Sequence, residues 1–201
     1  MSSSSNLLLR SSTYDRILNV AAECLLLKGY RETRMNHIAE MAGLSRAGLY
    51  KHFPTKDSIL LELNKRLMDE ALEDAKAVSA SKDCSLDVIR NWLTKYLDYQ
   101  QSNFVRAVMV ADAQQALIPG GRATGEALEK VRKALAKVIR RGIKAGEIRP
   151  DINAADMAYT LQGVVFSVKR NYLAERPVIE LSEMKHREML VEVLVSGLAA
   201  D

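Results

Sequence analysis

The sequence predicts an all-α protein, with an N-terminal three-helix, homeodomain-like helix-turn-helix domain ahead of a C-terminal helical bundle domain, about nine helices in all. Three observations predict it. Only 4 Pro and 10 Gly interrupt the 201 residues. Leu, Ala, Glu, Lys, Arg and Met, all good helix formers, fill the stretches between them. Apolar residues recur three and four apart in one window after another, the period of a helix with one buried face. A hydrophobic content of 48% over this length suffices for a sizeable core and one or two domains.

Residues 1–12 carry a serine run without apolar periodicity and read as a flexible tail, in which Arg10 is a further basic group. From Thr13, a plausible N-cap, the pattern Tyr14, Ile17, Leu18, Ala21, Cys24, Leu25 predicts a first helix that Gly29 ends. On that apolar face Cys24 reads as a small buried hydrophobe. Thr33 is the expected cap of a second, short helix with Met35, Ile38, Ala39 and Ala42 inward, and Gly43 supplies the permissive turn after it. Ser45 caps a third helix, from Arg46 to about Phe53, which Pro54 terminates. Thr55 caps a fourth, with Asp57 at its positive end and Ile59, Leu60, Leu63 and Leu67 on one face, running to about Val78. Residues 79–85 read as a loop. Further helices are predicted at about 86–101, 103–118, 122–145, 154–174 and 182–199, separated by Pro119-Gly120-Gly121, by 146–153 and by Pro177. The expected division is a tail over 1–12, one domain over 13–57 and a second over 58–201.

The net charge of +4 is unevenly placed. Residues 1–60 hold eight Lys/Arg against five acids, and the rest of the chain twenty-one against twenty. A basic excess confined to the first third is the footprint of a phosphate-binding surface. Two cysteines, Cys24 and Cys84, make no disulfide framework, and no signal segment or span of about 18 apolar residues is evident, so a cytoplasmic protein is expected, with no membrane partner. No nucleotide-binding glycine loop, nucleophile elbow or Cys/His metal spacing occurs, and the three histidines, His37, His52 and His186, are dispersed. Neither an enzyme nor a metal or cofactor is expected. The competing reading is a helical small-molecule-binding enzyme or adaptor with no DNA role.

Helix, glycine turn, short helix from Thr33 to Phe53 is the arrangement in which one element crosses a phosphate backbone while the other enters the major groove. Leu49 and Phe53, four apart, face inward. That leaves Arg46, Ala47, Gly48 and Lys51 toward base edges, with Arg46 the candidate for a bidentate contact to guanine and Ala47 for a thymine methyl. Gly48 costs about 1 kcal/mol against Ala inside a helix, which a close backbone approach would explain. Thr33, Ser45, Tyr50, His52 and Lys56 supply hydroxyl, imidazole and ammonium donors suited to phosphates.

These residues, Gly29-Tyr30 and the run Thr33-Arg-Met-Asn-His-Ile-Ala-Glu-Met-Ala-Gly-Leu-Ser-Arg-Ala-Gly-Leu-Tyr-Lys-His-Phe-Pro-Thr-Lys-Asp57, resemble the reading head of the tetracycline-repressor (TetR/AcrR) family of bacterial regulators over about 45 residues. The resemblance implies phosphate contacts by Thr33, Ser45, Tyr50, His52 and Lys56, and places Arg46, Ala47 and Lys51 over bases. It further implies a homodimer on a near-palindromic double-stranded operator, usually a repressor, released when a small-molecule effector enters the second domain. The likeness thins there to helical order and to Gly146-Glu-Ile-Arg-Pro-Asp-Ile-Asn153. The last two helices look like the family's dimer interface: Leu161, Val165 and Val168 on one, Val191, Leu194 and Leu198 on the other, faces broader than a helix needs for its own core. The Lys/Arg-rich stretch 130–144 reads as a solvated face. Candidates for an effector pocket are Asp112 and Gln162, polar groups at apolar register, beside Met109. Trp92, Tyr96, Tyr99 and Phe104 are candidate aromatic walls, and Tyr159 and Phe166 flank Gln162.

Overall fold

The computed structural model describes residues 12–98, 106–108, 111, 121–172 and 184–200. Eight helices are delimited among them: α1 (Thr13–Glu32), α2 (Met35–Met41), α3 (Arg46–His52), α4 (Lys56–Ala80), α5 (Ser85–Leu97), α6 (Gly121–Ala145), α7 (Ala154–Tyr172) and α8 (Met184–Ser196). Residues 106–108 and 111 are helical too. The expected all-α class holds: the described residues contain no strand, only an isolated bridge from Ile148 to Ala199. Most of the helix expected over 103–118, with Phe104, Met109 and Asp112, lies outside the described residues, as do Tyr99 and residues 1–11.

Contacts divide the chain into two units, one carrying the described residues up to Arg66 together with 106–108 and 111, the other those from Leu67 to Asp98 and from Gly121 onward. In the first, α1 packs on α2 and α2 on α3. Ile17, Leu18, Ile38, Leu49, Leu60 and Leu63 are each at most 1% exposed, so the spacing that predicts amphipathic helices also picks out the buried side chains. The cap of α1 is Ser12, not Thr13 as expected. Its hydroxyl accepts the Asp15 N–H at 3.1 Å while the Asp15 carboxylate accepts the Ser12 N–H at 3.3 Å. Starting one residue earlier puts an acid at the third helical position, where it completes a reciprocal box; a start at Thr13 would put Arg16 there, which cannot accept.

In the second unit, α6 packs on α7, and α5 on α6, α7 and α8. Trp92, Leu93, Leu135, Ile139, Ala158 and Leu161 lie in its shared apolar core. That core takes the residues expected at a dimer interface. Leu161, Val165, Val168, Val191 and Leu198 are between 0% and 7% exposed within their own chain, and Leu194 is half-buried against the same cluster. This corrects the sequence reading: those stripes are taken by the chain's own core, and the large apolar side chains exposed on these helices among the described residues are Tyr159 (67% exposed) and Phe166 (45%) on α7, and Met189 (60%) and Val193 (64%) on α8. The turn after α6 is tight. Gly146 sits at φ 74°, and the Glu147 N–H returns to the Gly142 carbonyl at 2.9 Å. The Glu147 carboxylate then accepts the N–H of Ser85 at 2.6 Å, fixing the first turn of α5 and holding its own ionisation below the usual carboxylate range.

Candidate nucleic-acid interface

The geometry of the N-terminal unit follows from three local devices. Gly29 takes φ 72°, ψ 173°, which breaks α1 before Thr33. Gly43 takes φ 64° in the turn after α2, with its N–H on the Glu40 carbonyl at 3.0 Å. Ser45 caps α3, its hydroxyl accepting the Gly48 N–H at 3.0 Å. Leu49 (0% exposed) and Phe53 (3%) anchor the short helix from inside, and the Phe53 ring lies 4.8 Å from that of Tyr14.

With that face fixed, helical geometry turns the opposite one outward. Arg46, Ala47 and Lys51 are exposed and Gly48 is half-exposed. The Arg46 guanidinium lies 5.6 Å from the ring centroid of Tyr50, one turn on, and both side chains are exposed. Ser45, Tyr50 and His52 are also exposed, His52 with its ring edge-on to Tyr14 at 6.5 Å. A Cβ on Gly48 would come 3.2 Å from the Ser45 hydroxyl, so a larger residue there presses on the cap of the helix that carries it.

Two of the expected phosphate donors sit elsewhere. Thr33 is 1% exposed, and its hydroxyl donates to the carbonyls of Gly29 at 2.7 Å and Cys24 at 3.1 Å. It does not cap α2, whose N-cap is Arg34 without a side-chain bond. Thr33 instead closes the end of α1, because the break at Gly29 leaves carbonyls there that need donors. Lys56 donates to the Thr33 carbonyl at 2.8 Å and to that of Tyr30, with its ammonium 4.1 Å from the centroid of the Tyr30 ring. Burial lowers its pKa, against the pull of Asp57 and Glu32. The Tyr30 hydroxyl donates to Asp57, and burial with that contact pushes its pKa up to about 12. Sequence spacing alone missed this knot of Tyr30, Thr33, Lys56 and Asp57, since its partners are up to 27 residues apart. It also missed Arg66 on Asp15 at 2.6 Å.

The pocket candidates do not gather into one cavity among the described residues. Trp92 is 5% exposed with its ring 5.0 Å from that of Tyr96, and the Tyr96 hydroxyl donates to Asp74 at 2.8 Å. Gln162 is buried and satisfied, accepting from Arg132 at 3.0 Å and donating to the Leu128 carbonyl at 3.2 Å. Tyr159 and Phe166 are surface groups rather than walls, an outcome of Gln162 taking the inward register on the same helix. Among the described residues no group of His, Cys, Asp or Glu is arranged to hold a metal ion, and no helix is long and apolar enough to cross a membrane.

Residues 17–63 match the family model described as bacterial regulatory proteins, tetR family. This segment carries the chain's likeness to the tetR family. The matched span includes α2 and α3, with the turn between them, and the Tyr30–Lys56 knot. Relatives extend beyond it. The chain is 23% identical over 193 residues, 95% of its length and 93% of the relative's, to an HTH-type transcriptional repressor KstR2 of Rhodococcus jostii (strain RHA1). Its fold is similar to that of AibR in complex with isovaleryl coenzyme A and operator DNA (TM-score 0.71, 22% identity, 92% of this chain and 98% of that one). It is also similar to the transcriptional regulator FadR from Bacillus subtilis in complex with stearoyl-CoA (TM-score 0.71, 20% identity, 92% and 99%).

Proposed function

We propose that the chain is a dimeric, ligand-responsive DNA-binding transcriptional regulator, acting as a repressor on a two-fold-symmetric operator and released by a small-molecule effector. The observation that carries it is the outward face of α3, where Arg46, Ala47 and Lys51 stand exposed on a helix pinned from behind by Leu49 and Phe53 within the tetR-family segment. In this reading residues 13–57 are the reading domain and 58–201 the sensing and dimerising domain. Arg46, Ala47, Gly48 and Lys51 meet base edges, and Ser45, Tyr50 and His52 meet phosphates. Lys56 and Thr33 tie the start of α4 to the end of α1, on either side of α2 and α3 in sequence. The partner protomer docks on the exposed apolar groups of α7 and α8, Tyr159, Phe166, Met189 and Val193, since exposed aromatic and aliphatic side chains on ordered helices mark association surfaces.

For the effector we propose an acyl thioester of coenzyme A. The support is likeness of fold: FadR and AibR, two similar folds, are described with stearoyl-CoA and isovaleryl coenzyme A. The protein acts in the cytoplasm and carries out no catalysis. The test is a gel shift with the purified chain on DNA from its own promoter region, repeated with octanoyl-coenzyme A. A shifted band that falls with salt and is abolished by the thioester is expected. Binding without preference over random duplex at every salt concentration would contradict the regulator reading.

A further inference from the structure

An open groove of about 960 Å³ runs between the C-terminal half of α4 and α6, both in the second unit. Its floor is apolar, with Leu72, Ala75 and Ala134, and its rims are mixed, Lys76, Lys130 and Lys133 against Asp69, Glu70 and Glu73. Next to it a smaller hollow of about 330 Å³ shares Ser79 and Lys137, and its other lining residues are Val138, Arg140, Arg141 and Lys144. No acid lines that end. Along α6, Lys130, Lys133, Lys137, Arg140 and Lys144 fall three and four apart, so they form one stripe about 20 Å long.

The cations of this stripe have unequal employment. Lys133 pairs with Glu129 one turn back at 3.6 Å. Lys137 donates to the Ser79 carbonyl at 3.2 Å and hydroxyl at 3.0 Å, at the negative end of α4, and Arg141 to the carbonyls of Ser81 and Asp83 in the loop that follows. Arg140 and Lys144 are exposed, and no hydrogen bond or ion pair of theirs occurs among the described residues. Their helix neighbours offer none: three and four residues either side of Arg140 stand Ala136, Lys137, Ile143 and Lys144. The acid within reach of Lys144, Glu147, is turned to the Ser85 N–H. An ordinary solvated face intersperses charges of both signs; here four cations line a hollow that shares Ser79 and Lys137 with an apolar-floored groove.

We propose that this end of α6 is a binding site for the phosphate groups of an amphipathic small molecule, a coenzyme A thioester, with the acyl part laid along the floor of Leu72, Ala75 and Ala134. Arg140 and Lys144 hold the phosphates, the guanidinium by its planar fork of donors and the ammonium as a point charge. Lys137 and Arg141 add field without leaving the carbonyls of Ser79, Ser81 and Asp83. The proposal rests on the effector reading above and specifies its site.

Isothermal titration of the full-length protein with octanoyl-coenzyme A, coenzyme A and octanoate tests it. Octanoyl-coenzyme A should bind the unaltered chain, and Arg140→Glu/Lys144→Glu should weaken it at least tenfold while the control Lys65→Glu leaves it unchanged. Melting curves establish that each variant is folded, and Arg140→Gln/Lys144→Gln, with a loss of threefold or more, serves if the charge reversal does not fold. Unchanged affinity in a folded double variant overturns the site and leaves the effector reading intact. No binding of octanoyl-coenzyme A to the unaltered chain overturns both. Binding that the variant weakens but that fails to release operator DNA upholds the site and overturns the effector reading. An equal loss of affinity for random duplex assigns the stripe to DNA and overturns the proposal.

Discussion

Arg46 and Lys56 are both cations of the first unit, and the structure employs them oppositely. Arg46 is exposed, with the ring of Tyr50 beside it, whereas Lys56 is spent on the carbonyls of Tyr30 and Thr33. Arg46→Ala should therefore relax discrimination between matched and mismatched duplexes by about 1–3 kcal/mol with little change in melting temperature. Lys56→Met removes a charged donor from two carbonyls; it should cost about 1–2 kcal/mol of stability and weaken all duplexes alike. Thermal melting beside gel shifts on paired duplexes measures both, and a sequence-selective loss in Lys56→Met would restore that side chain to direct contact. Ser45, Leu49 and Phe53 were legible from spacing because cap and anchor are decided within one or two turns. The posts of Thr33 and Lys56 were not, because a hydroxyl or ammonium reads alike whether it faces solvent or a carbonyl 23 residues away.

At the scale of elements, α1 and α3 are held both by a side-chain cap at the start and by a buried face. The junction of α5, α6 and the turn after α6 is the most tightly drawn. A Cβ on Gly142 would lie 2.7 Å from the Ile148 side chain and 2.8 Å from the Ser85 Cβ, while the Glu147 carboxylate already secures the start of α5. Gly142→Ala should destabilise the second unit by about 1–3 kcal/mol through overpacking, despite the better helix propensity of alanine. A denaturant midpoint equal to or above that of the parent would contradict this packing. Element order and most boundaries could be read from Gly, Pro and apolar period, down to the cap at Ser45. What periodicity could not decide was which of two apolar faces on α7 and α8 turns inward. Both carry Val, Leu or aromatic residues, and the choice is made by the neighbouring helices, not by the helix itself.

On the scale of the whole molecule, the account joins an outward α3 in one unit to exposed apolar groups on α7 and α8 in the other. Two copies would present two reading helices to one duplex, which makes operator symmetry a property of the protein's own pairing. The measurement that tests this most directly is selection of bound duplexes from a random pool by the full-length chain at moderate salt. The account predicts enrichment of an inverted repeat with half-sites about one helical turn apart or a multiple of it, collapsing to single half-sites in Phe166→Glu/Val193→Glu. Failure to enrich any sequence, or enrichment that persists in Arg46→Ala/Lys51→Ala, would contradict it.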